Sequence, residues 1–218
     1  SNMALAPALI LLFLVTFLLG SVPWGLVISR VVFHKDIRKE GSGNIGTTNA
    51  MRSLGKAGGA SVFVLDFGKG VLSGFLATVC STYVLVDATD ALAGICLAIS
   101  FMGCTLGHIY SPWLKFHGGK GIAVAVGALF FMYGIPGAVI ELGLFAILVI
   151  VTRYVSVGSI AAALLCPFLS LYFYSGNWVA IVIITFTALN VVFAHRENIS
   201  RLLNHCENKI GSKKEKAS

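Results

Sequence analysis

Gly118-Gly119-Lys120-Gly121 opens onto IAVAVGALFFMYGIPGAVIELGLFAILVIV, residues 122–151, and the reading of that apolar run decides the fold. As one tilted helix of about thirty residues it crosses a membrane once. Broken at Gly134-Ile135-Pro136-Gly137, where proline and flanking glycines interrupt a helix, it crosses twice, as 122–133 and 138–151. Further apolar runs at 4–32, 58–86, 91–114, 157–174 and 178–194 complete the set. Charge separates the two counts. With seven crossings and the N-terminus outside, every Lys and Arg except Lys69 falls on the inner side: in 30–56, at Lys115, Lys120 and Arg153, and in the tail. The outer loops then carry only Asp87 and Asp90. With six crossings the tail, holding Arg196, Arg201, Lys209, Lys213, Lys214 and Lys216, would lie outside with Arg153, against the inner-positive bias. The sequence therefore predicts an all-α, polytopic integral membrane protein of seven transmembrane helices, with its N-terminus outside and its C-terminus cytosolic.

Composition supports that class. Over 218 residues the chain is 57% hydrophobic and 11% charged, with a mean hydropathy of +0.89, far from the roughly 25% charged content of soluble domains. The net charge of +7 is interleaved with the spans rather than gathered on a soluble domain, so no nucleic-acid partner is expected. Cys80, Cys96, Cys104, Cys166 and Cys206 lack metal-ligand spacing and sit mostly in apolar segments, which points to small buried thiols, with no disulfide, metal or cofactor. Ser1-Asn2 before Met3 reads as a remnant of tag cleavage, and the run after it is too long for a signal-peptide core. Residues 211–218 read as a disordered basic tail attracted to anionic headgroups, and 1–218 as one transmembrane domain.

The polar residues gather at the inner ends of the spans. Glycines let the backbone of 118–121 approach a ligand closely, the helix that follows offers unpaired N–H groups and a positive dipole end, and Lys120 adds a full charge. Such a loop suits phosphate; the plain alternative is a flexible connector. The first inner loop is rich in Gly43, Ser42, Asn44, Asn49 and other hydrogen-bonding residues and ends at Arg52, a set suited to a small polar anion. Its bland reading is a capped turn with Arg52 anchored at the interface. Asp66 and Lys69 share one helical face inside a span, where they either support a site or hold helices together. His108 ends the third span, Arg153-Tyr154-Val155-Ser156 the fifth, and Asn190 precedes His195, Arg196, Asn198 and Arg201 at the last. Polar clusters on one face fit one-sided chemistry on a lipid-like substrate. A small transporter or lipid flippase for an anion would instead need paired broken helices and polar groups near mid-membrane.

Three stretches, GSGNIGTTNAMR at 41–52, GHIYSPWLKFHGGKGIA at 107–123 and HRENISRLLNHCE at 195–207, together with DFGKG at 66–70 and RYVS at 153–156, resemble the bacterial membrane glycerol-3-phosphate acyltransferases that use acyl-phosphate as donor. The resemblance implies a seven-helix enzyme of the bacterial inner (cytoplasmic) membrane that makes lysophosphatidic acid at its cytosolic side. Glycerol 3-phosphate, fatty acyl-phosphate and membrane lipid are its implied partners, and a soluble acyl-phosphate-producing enzyme a further one. Ser42, Arg52, His108, Lys120, His195 and Asn198 become the expected catalytic residues. Gly43, Asn44, Asn49, Gly118, Gly119, Gly121, Ser156 and Arg201 join Lys120 in binding substrate and phosphate, with Asp66, Lys69, Arg153 and Asn190 in support. The chain departs from the family pattern at Ser111, His117, Val124 and His205, where proline, lysine, threonine and glycine are commoner. Acyl-phosphate is an activated anhydride, so the work is to orient a hydroxyl, stabilise an oxyanion and neutralise two phosphates. No nucleophile elbow is present, and Trp113 stands five after His108, where the His-x4-Asp acyltransferase motif would have its aspartate; direct attack is expected. His108, His195 and the donor's own phosphate remain candidates for the proton acceptor.

Overall fold

The computed structural model describes residues 4–212, and every regular element among them is helical: α1 (Leu5–Ser21), α2 (Trp24–Val31), α3 (Thr47–Val79), α4 (Asp90–Ile109), α5 (Ile122–Thr152), α6 (Val155–Phe173), α7 (Trp178–Ala194) and α8 (Arg196–Leu203). Ser1-Asn2 and the tail from residue 213 lie outside the described residues. Without water, backbone N–H and C=O groups must pair within the segment, which is why apolar runs of this length are helical. Burial then follows packing. α1 buries Ala8, Leu12, Thr16 and Gly20 at four-residue spacing while Ile10, Leu14 and Leu18 stay exposed toward where lipid tails would lie. Small residues let the helices meet: a Cβ on Gly107 of α4 would strike the Phe17 carbonyl oxygen of α1, and one on Gly127 of α5 the Phe67 carbonyl oxygen of α3. All five cysteines are unpaired, four of them buried.

Two glycines break long helices. Gly55 (φ 81°, ψ −175°) separates a short first piece of α3, carrying Arg52, from the span that follows. Gly134 (φ 68°, ψ −175°) does the same in α5, a run of 31 residues. Straight, that run would be about 46 Å long. Yet Gly121 and Ile122 at its start, and Val155 and Ser156 just beyond its end, line a single cavity. Tyr133 before the break and Glu141 after it both reach Cys166 of α6. The run therefore folds back at Gly134 into two limbs.

Among the described residues five helical runs are long and apolar enough to cross a membrane, Leu5–Val31, Thr47–Val84, Asp90–Leu114, Ile122–Thr152 and Val155–Phe173, and α7 with α8, bent by 55°, makes a sixth if the pair is one span. The expected seven differ from these in α5, whose two limbs are joined at Gly134 with no loop between them and so count as one run. The chain is an integral membrane protein by this architecture and by the apolar surface it exposes.

Candidate active site

The loop between α2 and α3 is tied down by Asn49, which is 2% exposed. Its Nδ2 donates to the carbonyls of Glu40 (3.0 Å) and Asn44 (2.8 Å) and lies 3.3 Å from that of Ile37, while its Oδ1 accepts from the Ser42 N–H at 3.1 Å. Asn49 thus holds the loop and is fully engaged in doing so. The loop in turn sets Ser42, Asn44, Thr47, Thr48 and Arg52 around the cavity mouth. Gly43 stays outside the cavity lining and turns the chain at φ 75°. Gly46, the N-cap of α3, supplies no side-chain cap. The same holds at Gly121 for α5 and Tyr154 for α6. Three uncapped helix starts face one cavity, and each brings unpaired N–H groups and a partial positive charge.

Gly118 and Gly119 act differently from the phosphate cradle the sequence suggests. Their N–H groups donate to the carbonyls of Ile109 (2.8 Å) and His108 (3.1 Å), closing the C-terminus of α4. A Cβ on Gly118 would collide with the His108 carbonyl oxygen, and one on Gly119 with His108 Nε2. These glycines allow the chain to press against His108; neither lines the cavity. Lys120 and Gly121 do. Burial first, and the Arg201 and Arg52 charges with it, draw the Lys120 ammonium below its ordinary range, against Glu207 and Glu197.

Asp66, Lys69 and His108 form one buried cluster, 1%, 5% and 4% exposed. Lys69 Nζ lies 3.1 Å from Asp66 Oδ1, 2.8 Å from His108 Nδ1 and 2.9 Å from the Val22 carbonyl oxygen. An ammonium has three protons and only donates, so His108 Nδ1 accepts and its ring proton sits on Nε2. Asp66 and His108 line the cavity; Lys69 stands behind them.

His195 has the opposite arrangement. Its Nδ1 donates to the Val191 carbonyl at 2.7 Å, which leaves Nε2 as the ring's acceptor. Burial first, aided by the Lys120 charge and opposed by the Val191 carbonyl, pushes His195 down to about 4, so the ring is neutral at pH 7.

Glu207, not singled out from the sequence except within its motif, gathers the remaining polar groups. It accepts from Ser156 Oγ at 2.8 Å, Asn198 Nδ2 at 2.9 Å, Arg201 Nε at 2.9 Å and its neighbour's N–H at 3.0 Å. Burial alone would raise this carboxyl; the four donors outweigh it and hold it at about 2. Arg153 lies outside the cavity and clamps the same segment, donating to the Ile210 carbonyl (2.6 Å) and accepting from its N–H (2.9 Å). Asn190, also outside, ties α7 to Tyr110 at 2.7 Å. Ser111, where the resemblance expects proline, donates to the Ser21 carbonyl at 2.6 Å. Val124, expected as threonine, is fully buried, and His117 is exposed with its ring on the Lys115 carbonyl. His205, expected as glycine, adopts φ 55°.

The cavity, about 390 Å³, has two parts. Its mouth is polar and cationic, with Arg52, Lys120 and Arg201; Thr47 Oγ1 and Asn198 Oδ1 there are buried without a hydrogen-bond partner. Its inner part is apolar, walled by Phe101, Leu129, Phe145, Ala163 and Val191, with one further residue missed in the sequence, Glu141. A signal for it existed: Glu141 is the only charged residue in 122–151. A site of this shape accepts an anionic head at the mouth and a hydrocarbon chain within.

The comparisons with known proteins agree with that shape. The family model described as glycerol-3-phosphate acyltransferase matches residues 10–205. The glycerol-3-phosphate acyltransferase of Syntrophotalea carbinolica is 41% identical over 201 residues, 92% of this chain and 96% of that one. That of Carboxydothermus hydrogenoformans is 38% identical over 206 residues, 94% and 98% of the two chains. Among solved structures, PlsY (YgiH), an integral membrane glycerol 3-phosphate acyltransferase, in its glycerol 3-phosphate form matches with a TM-score of 0.80 at 32% identity, over 93% of this chain and 96% of that one. Its lysophosphatidic acid form gives 0.77 at 31%, over 93% and 95%. Nothing in these matches favours a transporter. The matched residues run from α1 through α8 and take in the cavity-lining residues from Ser42 to Arg201, so this chain belongs to the glycerol-3-phosphate acyltransferase family.

Proposed function

We propose that this protein transfers a fatty acyl group from acyl-phosphate to a hydroxyl of glycerol 3-phosphate, releasing lysophosphatidic acid and phosphate. One observation carries the reading: a cationic mouth where three uncapped helix starts meet Arg52 and Lys120 opens directly into an apolar chamber. The mouth suits two phosphates and the chamber one acyl chain. Lys120 and the start of α5 hold the leaving phosphate; Arg52, Ser42, Asn44 and Asn198 hold glycerol 3-phosphate. The hydroxyl oxygen bonds to the acyl carbonyl carbon, the carbon–oxygen bond to phosphate breaks, and phosphate leaves with the electron pair. His195 Nε2 takes the hydroxyl proton, since its Nδ1 already donates to Val191. His108 Nε2–H is placed to donate.

The same reading takes the two limbs of α5 as separate spans, giving seven crossings in one transmembrane domain, with the N-terminus outside and the C-terminus cytosolic. It is supported by Lys120 and Ser156, just beyond the two ends of α5, lining one cavity, which brings Lys120 and Arg153 to one side as the inner-positive rule requires. The cavity mouth then faces the cytosol across a bacterial inner membrane, where a soluble enzyme making acyl-phosphate would meet it.

The test is an assay of purified protein with glycerol 3-phosphate and, separately, acyl-phosphate, acyl-CoA or acyl-carrier protein. Product from acyl-phosphate alone is expected. Product only from a thioester donor would overturn the proposal.

A further inference from the structure

The apolar part of the cavity contains one group that acyl transfer leaves unused. Glu141, 2% exposed, lines the cavity from the second limb of α5, eleven residues before Thr152 and so roughly 16 Å from the inner end of that helix. Its Oε1 lies 3.2 Å from Cys166 Sγ, a weak donor. Its Oε2 is buried with no hydrogen-bond partner, and among the described residues Cys166 is its one side-chain partner. An unpaired carboxyl oxygen in an apolar wall is costly, and an ionisable residue at such depth faces a bundle interior or cavity for a reason. When a hydrocarbon chain fills the chamber, water is displaced and the oxygen has nothing to pair with.

We propose that Glu141 is a specificity-determining residue that pairs with a hydroxyl on the distal part of the acyl chain, so that the preferred donor is a hydroxylated acyl-phosphate. The proposal rests on the acyl-transfer reading above. A hydroxyl both donates and accepts, so it can meet Oε2 whichever way the proton lies. Cys166 on the other oxygen fixes the carboxyl group. Plain chains still fit the apolar walls, but leave Oε2 unpaired.

The experiment is an internal competition. Purified protein receives saturating glycerol 3-phosphate and an equimolar mixture of acyl-phosphates of one chain length, plain and hydroxylated at successive distal carbons, and the products are counted by mass. Wild type should incorporate one positional isomer about tenfold over the plain chain, the span of one net hydrogen bond. Glu141→Gln should keep most of that preference and Glu141→Leu should lose it. Because the readout is a ratio within one mixture, the amount of folded variant cancels. Equal incorporation by wild type, or an unchanged ratio in Glu141→Leu, overturns the role of Glu141 while leaving acyl transfer standing. Failure of wild type to use even the plain acyl-phosphate overturns the acyl-transfer reading and this inference together.

Discussion

Lys69 Nζ stands 2.8 Å from His108 Nδ1, while Gly119 presses against Nε2 on the other side of the same ring. The ammonium can only donate, so it leaves the His108 ring proton on Nε2, beside Gly119, whereas the Val191 carbonyl leaves His195 Nε2 as an acceptor. Two histidines in one cavity are thereby given opposite roles by second partners that never touch substrate.

Replacing Lys69 should release the His108 tautomer. Lys69→Met is best combined with Asp66→Asn, since a buried carboxylate without its cation is strongly destabilising. The pair should lower kcat at least tenfold with a smaller change in KM for glycerol 3-phosphate. Nitrogen NMR of the ring should change from a protonated Nε2 to a mixture. An unchanged ring spectrum would show that Lys69 does not set the tautomer.

Gly119→Ala should act through His108, because its new Cβ would occupy the space of Nε2. Turnover should fall by an order of magnitude or more, with a modest change in detergent melting temperature. Gly118→Ala pushes instead on the His108 carbonyl oxygen, which cannot swing aside, so its effect should appear as lost stability of about 1–3 kcal/mol. Wild-type turnover in Gly119→Ala would contradict this account of the glycine pair.

Arg52→Lys keeps the charge but not the planar fork that pairs with phosphate oxygens. KM for glycerol 3-phosphate should rise about tenfold or more. Unchanged rate and affinity would make Arg52 an interfacial anchor only.

Glu207 should make stability depend on acid. Its folded carboxyl is held at about 2 against the ordinary 4.5, so the stabilisation is present above pH 4.5 and disappears as pH falls toward 2. Melting temperatures taken from pH 7 down to pH 3 should drop more steeply for wild type than for Glu207→Gln, which starts lower. Parallel curves would mean that the four donors around Glu207 do not favour its charged form.

Much of this site is legible as letters that do not belong in an apolar chain. Ser42, Asn44, Arg52, Lys120, His195 and Asn198 stand out against their surroundings, and all six line the cavity. What the letters conceal is which partner each one has. Gly118 and Gly119 read as a phosphate cradle because glycine permits close approach, and the approach turns out to be to His108, at the end of the preceding helix. Asn49 reads as a ligand for an anion, yet its amide is taken up by loop carbonyls. Helical periodicity places Lys69 near Asp66 but says nothing of His108, 39 positions away on another helix. The count of spans depends on one residue, Gly134, whose left-handed φ turns α5 back while the helix on either side continues.

Lys120→Ala tests the central claim most directly, because Lys120 is the full positive charge at the start of α5 where the leaving phosphate is proposed to sit. The residue lies outside the helix, so the fold should survive and melting in detergent should change little. A charge-assisted contact with a developing phosphate in a water-poor site is worth on the order of 3 kcal/mol, so turnover with acyl-phosphate and glycerol 3-phosphate should fall roughly a hundredfold. Near wild-type turnover in a folded Lys120→Ala protein, at both saturating and limiting donor, would contradict the assignment of phosphate to this mouth.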